Sequence, residues 1–553
     1  MRSSASSRTL TEAETERRGL RHETLFAAML ATLLSMAAFA YCYPRGMLLL
    51  YGDAVAHMHI ARRVVDSLNP GFRQLGSVWL PLPHLLLIPF VAPMSWWQSG
   101  MAGAIPSMMF YVLSVAGLYR LARFWLPPAG GVVAALFFGL NPGLLYMQTT
   151  AMTEPLFLCE VIWSALLLTA CLRALSSGRH RHAARMLMGL GLVLLAAIFT
   201  RYDGWVLTFL EWLIVLRGVW RARAWKSEAG GAFVLFTVAM AAAPLLWLIW
   251  NARQFGDPLD FMRGPYSAKA IDARTTKPGS PHYPGWHSMP VAALYFLKAA
   301  ELGAVPLRWT NVLLWLTLGG SAAAVFGWRK KCLLPALLLW LPVPFYAYSV
   351  AWGSVPIFIP PWWPHSWYNT RYGMEMLPGF ALFLGFLVVW VTRQMERRWP
   401  SLAPLALLAA VCLTIVDCSA LMRARPLVLA EAVANSRTRI PFEQAYARAL
   451  NQLPQEGRIL AWTSDHVGAY QRAGIPLKRT INETDYYQWA PALRDPAKAA
   501  GFVIAEDGDA VAKAVAAHPD GLSLLNIVCS TGQPCVRIYR SNATAAGDSI
   551  TQK

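Results

Sequence analysis

The sequence predicts a mainly α-helical, polytopic membrane protein of about eleven transmembrane helices, followed by a small C-terminal α/β domain outside the membrane. Three observations lead there. Hydrophobic residues make up 56% of the 553-residue chain and charged residues only 14%, a balance that excludes an ordinary soluble enzyme. Apolar stretches of the roughly 20 residues needed to cross a bilayer recur as far as about residue 422. Beyond that point, short apolar strands alternate with helix-like stretches.

Taken in order, the apolar segments lie near 24–43, 101–119, 128–148, 154–172, 186–200, 204–220, 231–251, 303–328, 332–352, 373–392 and 401–420. Residues 1–23 read as a polar, disordered cytoplasmic tail, 24–422 as the membrane body and 423–553 as the external domain. Ala38-Phe39-Ala40 imitates a signal-peptidase site; an uncleaved anchor is preferred, and both readings leave Asp53 on the same side. The first outer loop spans about 44–100. It holds an expected helix from Asp53 to Leu68, with Val55, Met58, Val64, Val65 and Leu68 laid on the membrane and Arg62 and Arg63 near lipid headgroups. The proline-rich run 78–91 is too short for a span and reads as a juxtamembrane or re-entrant helix. The gap at 252–302, with Pro258, Pro265, Pro278, Pro281 and Pro284, has the length of a lid or binding segment.

The net charge of +19 carries orientation. Alternate gaps are basic: Arg120 and Arg123; Arg173, Arg179, Arg181 and Arg185; Arg217, Arg221, Arg223 and Lys226; Arg329, Lys330 and Lys331; Arg393, Arg397 and Arg398. The positive-inside rule makes these cytoplasmic, together with Arg17, Arg18 and Arg21, and puts the N-terminus inside and the C-terminus outside. A nucleic-acid partner finds no support in this distribution. In the tail, 427–453 reads as helix and 458–462 as a short strand, and further helix and strand signals follow at 501–505, 510–517, 522–528 and 536–539, without a Gly-rich phosphate fingerprint. Cys529 and Cys535 flank a short loop where either a disulfide or two free thiols can stand; the other six cysteines, Cys332 among them, lie in or beside apolar segments. Asn542-Ala543-Thr544 matches a glycosylation sequon of a kind that arises easily by chance.

The gaps that face outward collect the chemistry. Asp53, in Tyr51-Gly52-Asp53-Ala54, is either a helix N-cap or a base that takes a proton from an acceptor, and the two roles are compatible. In Thr153-Glu154-Pro155, capping by Thr153 explains much of the motif, while Glu154 brings a second carboxylate to the same surface. Arg201-Tyr202-Asp203 is either a self-neutralising pair at the membrane edge or part of a site. Arg371, in Asn369-Thr370-Arg371-Tyr372, is either an interfacial anchor or a fork that grips phosphate. His57, His59 and His84 match no strong metal signature; no metal ligand is assigned, no cofactor is certain, and a divalent metal stays open.

With these motifs in this order and topology, the chain over about 24–400 resembles the polytopic GT-C glycosyltransferases. Arg62-Arg63, Gln74-Leu75-Gly76 and Trp79-Leu80-Pro81-Leu82-Pro83-His84 add to the likeness, which is greatest for the protein O-mannosyltransferase and aminoarabinose-transferase branch. The resemblance implies transfer of a sugar from a polyprenyl-phosphate carrier to a lipid, glycan or protein acceptor at the outer face, with inversion. It maps the base or acceptor-positioning carboxylate to Asp53, with Glu154 as the second carboxylate, and the lipid-phosphate ligand to Arg371, with Arg201 as second candidate. His57, His84, Asp203, Tyr202, Asn369 and Tyr372 are the neighbours expected to contact substrate. Many members carry Asp-Glu where this chain has Asp53-Ala54. The branch places such a protein in the bacterial inner membrane with its C-terminus periplasmic, although an endoplasmic-reticulum membrane satisfies the same topology rules. A transporter or flippase for lipid-linked sugars is the alternative, with Glu160, Glu211 and Asp417 as intramembrane charges; a scaffold that presents the tail is a third.

Overall fold

The computed structural model describes residues 3–276, 279–328 and 333–543, with side chains from Arg18 onward. Pro278, Arg329, Lys330, Lys331, Cys332 and Thr544, and the side chain of Arg17, lie outside the described residues. Among the described residues, nine helices are long and apolar enough to cross a membrane: Arg18–Arg45, Met101–Ala122, Glu154–Ser176, His180–Thr200, Glu228–Phe255, Leu307–Trp328, Leu334–Trp352, Thr370–Arg398 and Pro400–Ser436. The first helix reaches back to Ser3, through the residues expected to form a tail.

Two expected spans take a different form. Segment 128–148 is broken at Asn141-Pro142 into Pro128–Gly139 and Pro142–Met147. The Asn141 side chain accepts from the Leu144 N–H at 2.9 Å and starts a new helix there. The 12-residue first piece rises only about 18 Å, short of the ~30 Å hydrocarbon core. Asp203–Arg221 forms as a 19-residue helix, but Asp203, Glu211, Arg217 and Arg221 dilute its apolar character.

Small residues let the membrane helices approach closely. A Cβ on Gly320 would stand 1.9 Å from the Phe383 carbonyl oxygen of the neighbouring Leu377–Arg398 helix. Gly320→Ala is therefore expected to push the two helices apart, costing about 1–3 kcal/mol, which a lowered melting midpoint in detergent would report.

The outer-loop helix is Gly52–Val65, and it does not lie on the membrane as the apolar pattern predicts. Val55 and Met58 are buried in the protein core, and only Val65 of the expected lipid face is exposed within the helix. Arg62 is buried, paired with Asp66 at 2.8 Å and donating to the carbonyls of Val91 and Ala92. Arg63 donates to the Gln74 carbonyl at 3.1 Å. The pattern misleads because an apolar face packs as well against protein as against lipid. Here the helix packs against Leu82–Val91 and the Phe72–Leu75 turn, and also against the Val467–Ala473 helix of the C-terminal domain, whose Gln471 donates to the Trp97 carbonyl. The short Leu82–Val91 helix occupies the proline-rich run, and it is too short to span.

The C-terminal domain begins with the helices Leu427–Ser436 and Arg439–Leu450. Five strands follow: β1 (Ile459–Ala461), β2 (Thr480–Ile481), β3 (Phe502–Glu506), β4 (Leu522–Val528) and β5 (Val536–Ser541). They form one sheet in the order β2-β1-β3-β5-β4; β1 is parallel to β2 and β3, and β5 is antiparallel to β3 and β4. Alternation divides the core, with Ile459 and Ile504 on one face and Leu460 and Val503 on the other. Cys529 and Cys535 are bridged by a disulfide.

Candidate active site

The four outward motifs converge, and a chain of ion pairs joins them. Asp53 stands in the first turn of the Gly52–Val65 helix without capping it, and 40% of its side chain is exposed. Arg371 Nη2 donates to Asp53 Oδ2 at 2.7 Å, across 318 residues of sequence. The same guanidinium lies 3.2 Å from Glu154 Oε1 through Nε and 3.6 Å from Glu431 Oε1 through Nη1. Glu154 is almost wholly buried, and neither of its oxygens receives an aligned hydrogen bond, so charge holds this contact. Thr153 does not cap the Glu154–Ser176 helix; its hydroxyl accepts from Arg201 Nη1 at 3.2 Å.

Arg201 caps the end of the His180–Thr200 helix in an extended conformation, which turns its side chain into the same cluster. It lies 3.3 Å from Asp203, 3.1 Å from Glu375 and 3.6 Å from Glu154. Its Nη2 also donates to the Tyr346 hydroxyl at 2.5 Å, and that hydroxyl donates to Glu375 Oε1 at 2.6 Å. Burial works against the charge of Arg201, but the surrounding acidic groups hold it protonated. Tyr372 lies under both arginines, with Arg201 Cζ 5.2 Å and Arg371 Cζ 5.0 Å from its ring centroid, and it stacks on Tyr346.

Two guanidinium groups thus serve five carboxylates: Asp53, Glu154, Asp203, Glu375 and Glu431. An incoming anion can bind arginine here by displacing a carboxylate, and the most exposed one, Asp53, is the easiest to displace. Glu375, Glu431, Tyr346 and Tyr51 were missed in the sequence. Glu375 carried a usable signal, as an ionisable residue inside an apolar span and one helical turn past Arg371. Glu431 carried none, because nothing local shows that its helix folds back onto the membrane body.

The remaining candidates have other partners. Asn369 holds a left-handed backbone (φ 54°), and its side chain donates to the Pro356 carbonyl at 2.9 Å. Tyr202 donates to the Val78 carbonyl at 2.9 Å and stacks on Phe261, tying the first outer loop to the long gap at 252–302. His57 and His84 face each other, Nδ1 to Nε2 at 2.9 Å, under Trp79. Among the described residues, no group of three or more His, Cys, Asp or Glu side chains is arranged to hold a metal ion.

Burial pushes the His57 imidazole down to about 4, against the pull of Asp53. An unfolded histidine takes its proton near 6.5, so the unfolded state binds more protons as the pH falls from there to about 4. The folded state consequently loses stability across that window, on the order of 3 kcal/mol from His57 alone. Burial lowers His59 and His84 in the same direction. His57→Gln is expected to shrink the drop in melting midpoint between pH 7.5 and pH 5; an unchanged drop would remove His57 from the acid response.

No family model matches the chain. The undecaprenyl phosphate-α-4-amino-4-deoxy-L-arabinose arabinosyl transferases of two Pseudomonas aeruginosa strains are each 27% identical to it over 304 residues, 52% of this chain and 50% of theirs. The chain thus spans about half the length of the curated relatives it matches. ArnT from Cupriavidus metallidurans bound to undecaprenyl phosphate superposes with a TM-score of 0.54 at 12% identity, covering 92% of this chain and 97% of that one. Its apo form gives 0.51 at 13% identity, covering 91% and 97%. These likenesses show that the chain has an ArnT-like fold.

Proposed function

We propose that this chain is a GT-C glycosyltransferase that moves a sugar from a polyprenyl-phosphate carrier to an acceptor at the outer face of the membrane. The observation that carries the reading is the exposed Asp53 carboxylate held by Arg371, beside buried Glu154 and Arg201. The undecaprenyl phosphate bound by ArnT, and the donor in the names of the Pseudomonas proteins, support a polyprenyl-phosphate donor here.

The geometry suggests an exchange. The donor phosphate takes the guanidinium of Arg371, with Arg201 as the second cation on the shared Tyr372 floor. Asp53, released from Arg371, then accepts the proton of the acceptor hydroxyl or amine. The acceptor oxygen or nitrogen bonds to the anomeric carbon as the bond from that carbon to the phosphate oxygen breaks. The electron pair leaves with the carrier phosphate, and the anomeric configuration inverts. Electrostatic stabilisation of the leaving phosphate is the main service of the two arginines.

Residues 24–422 act as the catalytic body and 423–553 as an external domain. The protein sits in the bacterial inner membrane, N-terminus cytoplasmic and C-terminus periplasmic, an orientation that the Cys529–Cys535 bridge favours. The acceptor is a lipid, glycan or protein. The test is sugar transfer in proteoliposomes, with radiolabelled polyprenyl-phosphate sugars as donors and membrane extract as acceptor. Label in the acceptor supports transfer, whereas translocated labelled lipid without any transfer would put a flippase in its place.

A further inference from the structure

After the last long membrane helix, Ala403–Ala424, the chain turns at Arg425 (φ 66°) and Pro426, and the Leu427–Ser436 helix folds back. Leu427, Val428 and Ala432 are buried in the same core as Tyr51, Ala54 and Met374. That helix delivers Glu431, which is 1% exposed, to two separate turns of the site. Its Oε1 accepts from the Asn369 N–H at 2.9 Å. Its Oε2 accepts from the Thr370 N–H at 3.0 Å, the Thr370 hydroxyl at 2.5 Å and the Tyr51 hydroxyl at 3.3 Å. Tyr51 also donates to the Val428 carbonyl at 2.8 Å. Arg371 and Asp53 follow immediately on these turns.

The next helix, Arg439–Leu450, adds a second hold. Arg439 Nη2 donates to the carbonyls of Leu49 and Leu50, each at 2.9 Å, just ahead of Asp53. Its Nη1 is fixed on Glu443 Oε1 at 2.8 Å, and Glu443 also lies 3.4 Å from Arg472 of the sheet domain. Asn369 is left-handed (φ 54°), and the Leu49 and Leu50 carbonyls end a short helical turn. Charge-assisted hydrogen bonds from buried partners can fix them.

We propose that Glu431 and Arg439 are positioning residues: they set the Asp53 and Arg371 turns against each other, which makes the segment after the last span an integral part of the site. Neither residue touches the reacting atoms. Arg439 acts through the backbone that carries Asp53, and Glu431 through the backbone at 369–370 and through its ion pair with the Arg371 guanidinium at 3.6 Å. The consequence for catalysis rests on the transferase reading; the fixing of the two turns stands independently of it.

The test compares the full-length wild type with Glu431→Gln in detergent and in proteoliposomes. Glutamine keeps the volume and one acceptor oxygen, but loses the charge and turns an N–H₂ group toward N–H and O–H donors. Amide hydrogen exchange over 369–372 is expected to rise by about tenfold or more, with exchange elsewhere close to wild type and the melting midpoint lowered, because Arg371 loses one buried partner. Donor KM should rise by about tenfold while kcat stays within about threefold; the substitution also removes a carboxylate that competes for Arg371, and the displaced 369–371 turn outweighs that gain. Wild-type exchange over 369–372, or wild-type donor KM beside raised exchange, would overturn the proposal. If the wild type transfers no sugar, the transferase reading fails, and exchange alone decides the positioning. If Glu431→Gln unfolds, Thr370→Val takes its place. It removes one bond to an intact Glu431, and raised exchange confined to the same stretch is expected; unaltered exchange there would equally overturn the proposal.

Discussion

Asp53→Asn is expected to lower sugar transfer by about 10²–10⁴-fold, the range associated with removing a positioned general base. Asparagine is nearly isosteric and its carbonyl oxygen still accepts the Arg371 hydrogen bond, so the fold should survive. What it cannot do is take the acceptor proton. The same substitution removes the carboxylate that competes with donor phosphate for Arg371, the one with the greatest exposure among the three on that guanidinium. Undecaprenyl phosphate should therefore bind Asp53→Asn at least as tightly as wild type while turnover collapses. Parallel measurements of lipid-phosphate binding and initial transfer rates check both halves. Weaker binding would mean that Asp53 helps hold the donor, and equal transfer would move the base to another group.

Arg371→Gln should have the second large effect, and on two quantities at once. Arg371 holds three carboxylates while only 11% of its side chain is exposed. Removing it leaves Asp53, Glu154 and Glu431 facing one another, and breaking a buried charge cluster in this way costs about 3–5 kcal/mol. A clear fall in melting midpoint and a loss of donor binding are both expected. Arg371→Lys should recover part of the stability but little of the transfer, because a single ammonium cannot reproduce three diverging contacts. Adding Glu154→Gln to Arg371→Gln separates the two losses, since it relieves the repulsion without restoring a phosphate ligand. Recovery of the midpoint with transfer still absent is the expected result; recovery of both would remove Arg371 from donor binding.

These two residues also show how much of the site was legible in the sequence. Asp53, Glu154, Arg201 and Arg371 each sit beside an apolar segment end, and the count of eleven segments, with 128–148 and 204–220 both crossing, is what brings those ends to one side. The structure joins all four in one network. In the C-terminal domain, the signals at 510–517 and 522–528 have the bounds of the helix and the strand observed there. Legibility failed where an apolar pattern has more than one possible partner. The Gly52–Val65 helix was assigned to lipid, but it packs against Leu82–Val91 and, in part, against Val467–Ala473. Segments 128–148 and 204–220 form helices as expected, the first broken at Asn141-Pro142 and the second carrying Asp203, Glu211, Arg217 and Arg221. Glu431 marks the deepest limit, because its partner Tyr51 lies 380 residues away.

That separation has a consequence for biosynthesis. Tyr51 and Asp53 are made early, Arg371 much later, and Glu431 and Arg439 later still, after every membrane segment has left the ribosome. During synthesis the two halves of the charge network stay apart, and even once they meet, the turns that carry them wait for the helices that hold them. A nascent or prematurely terminated chain can therefore insert in the membrane and still lack an assembled site.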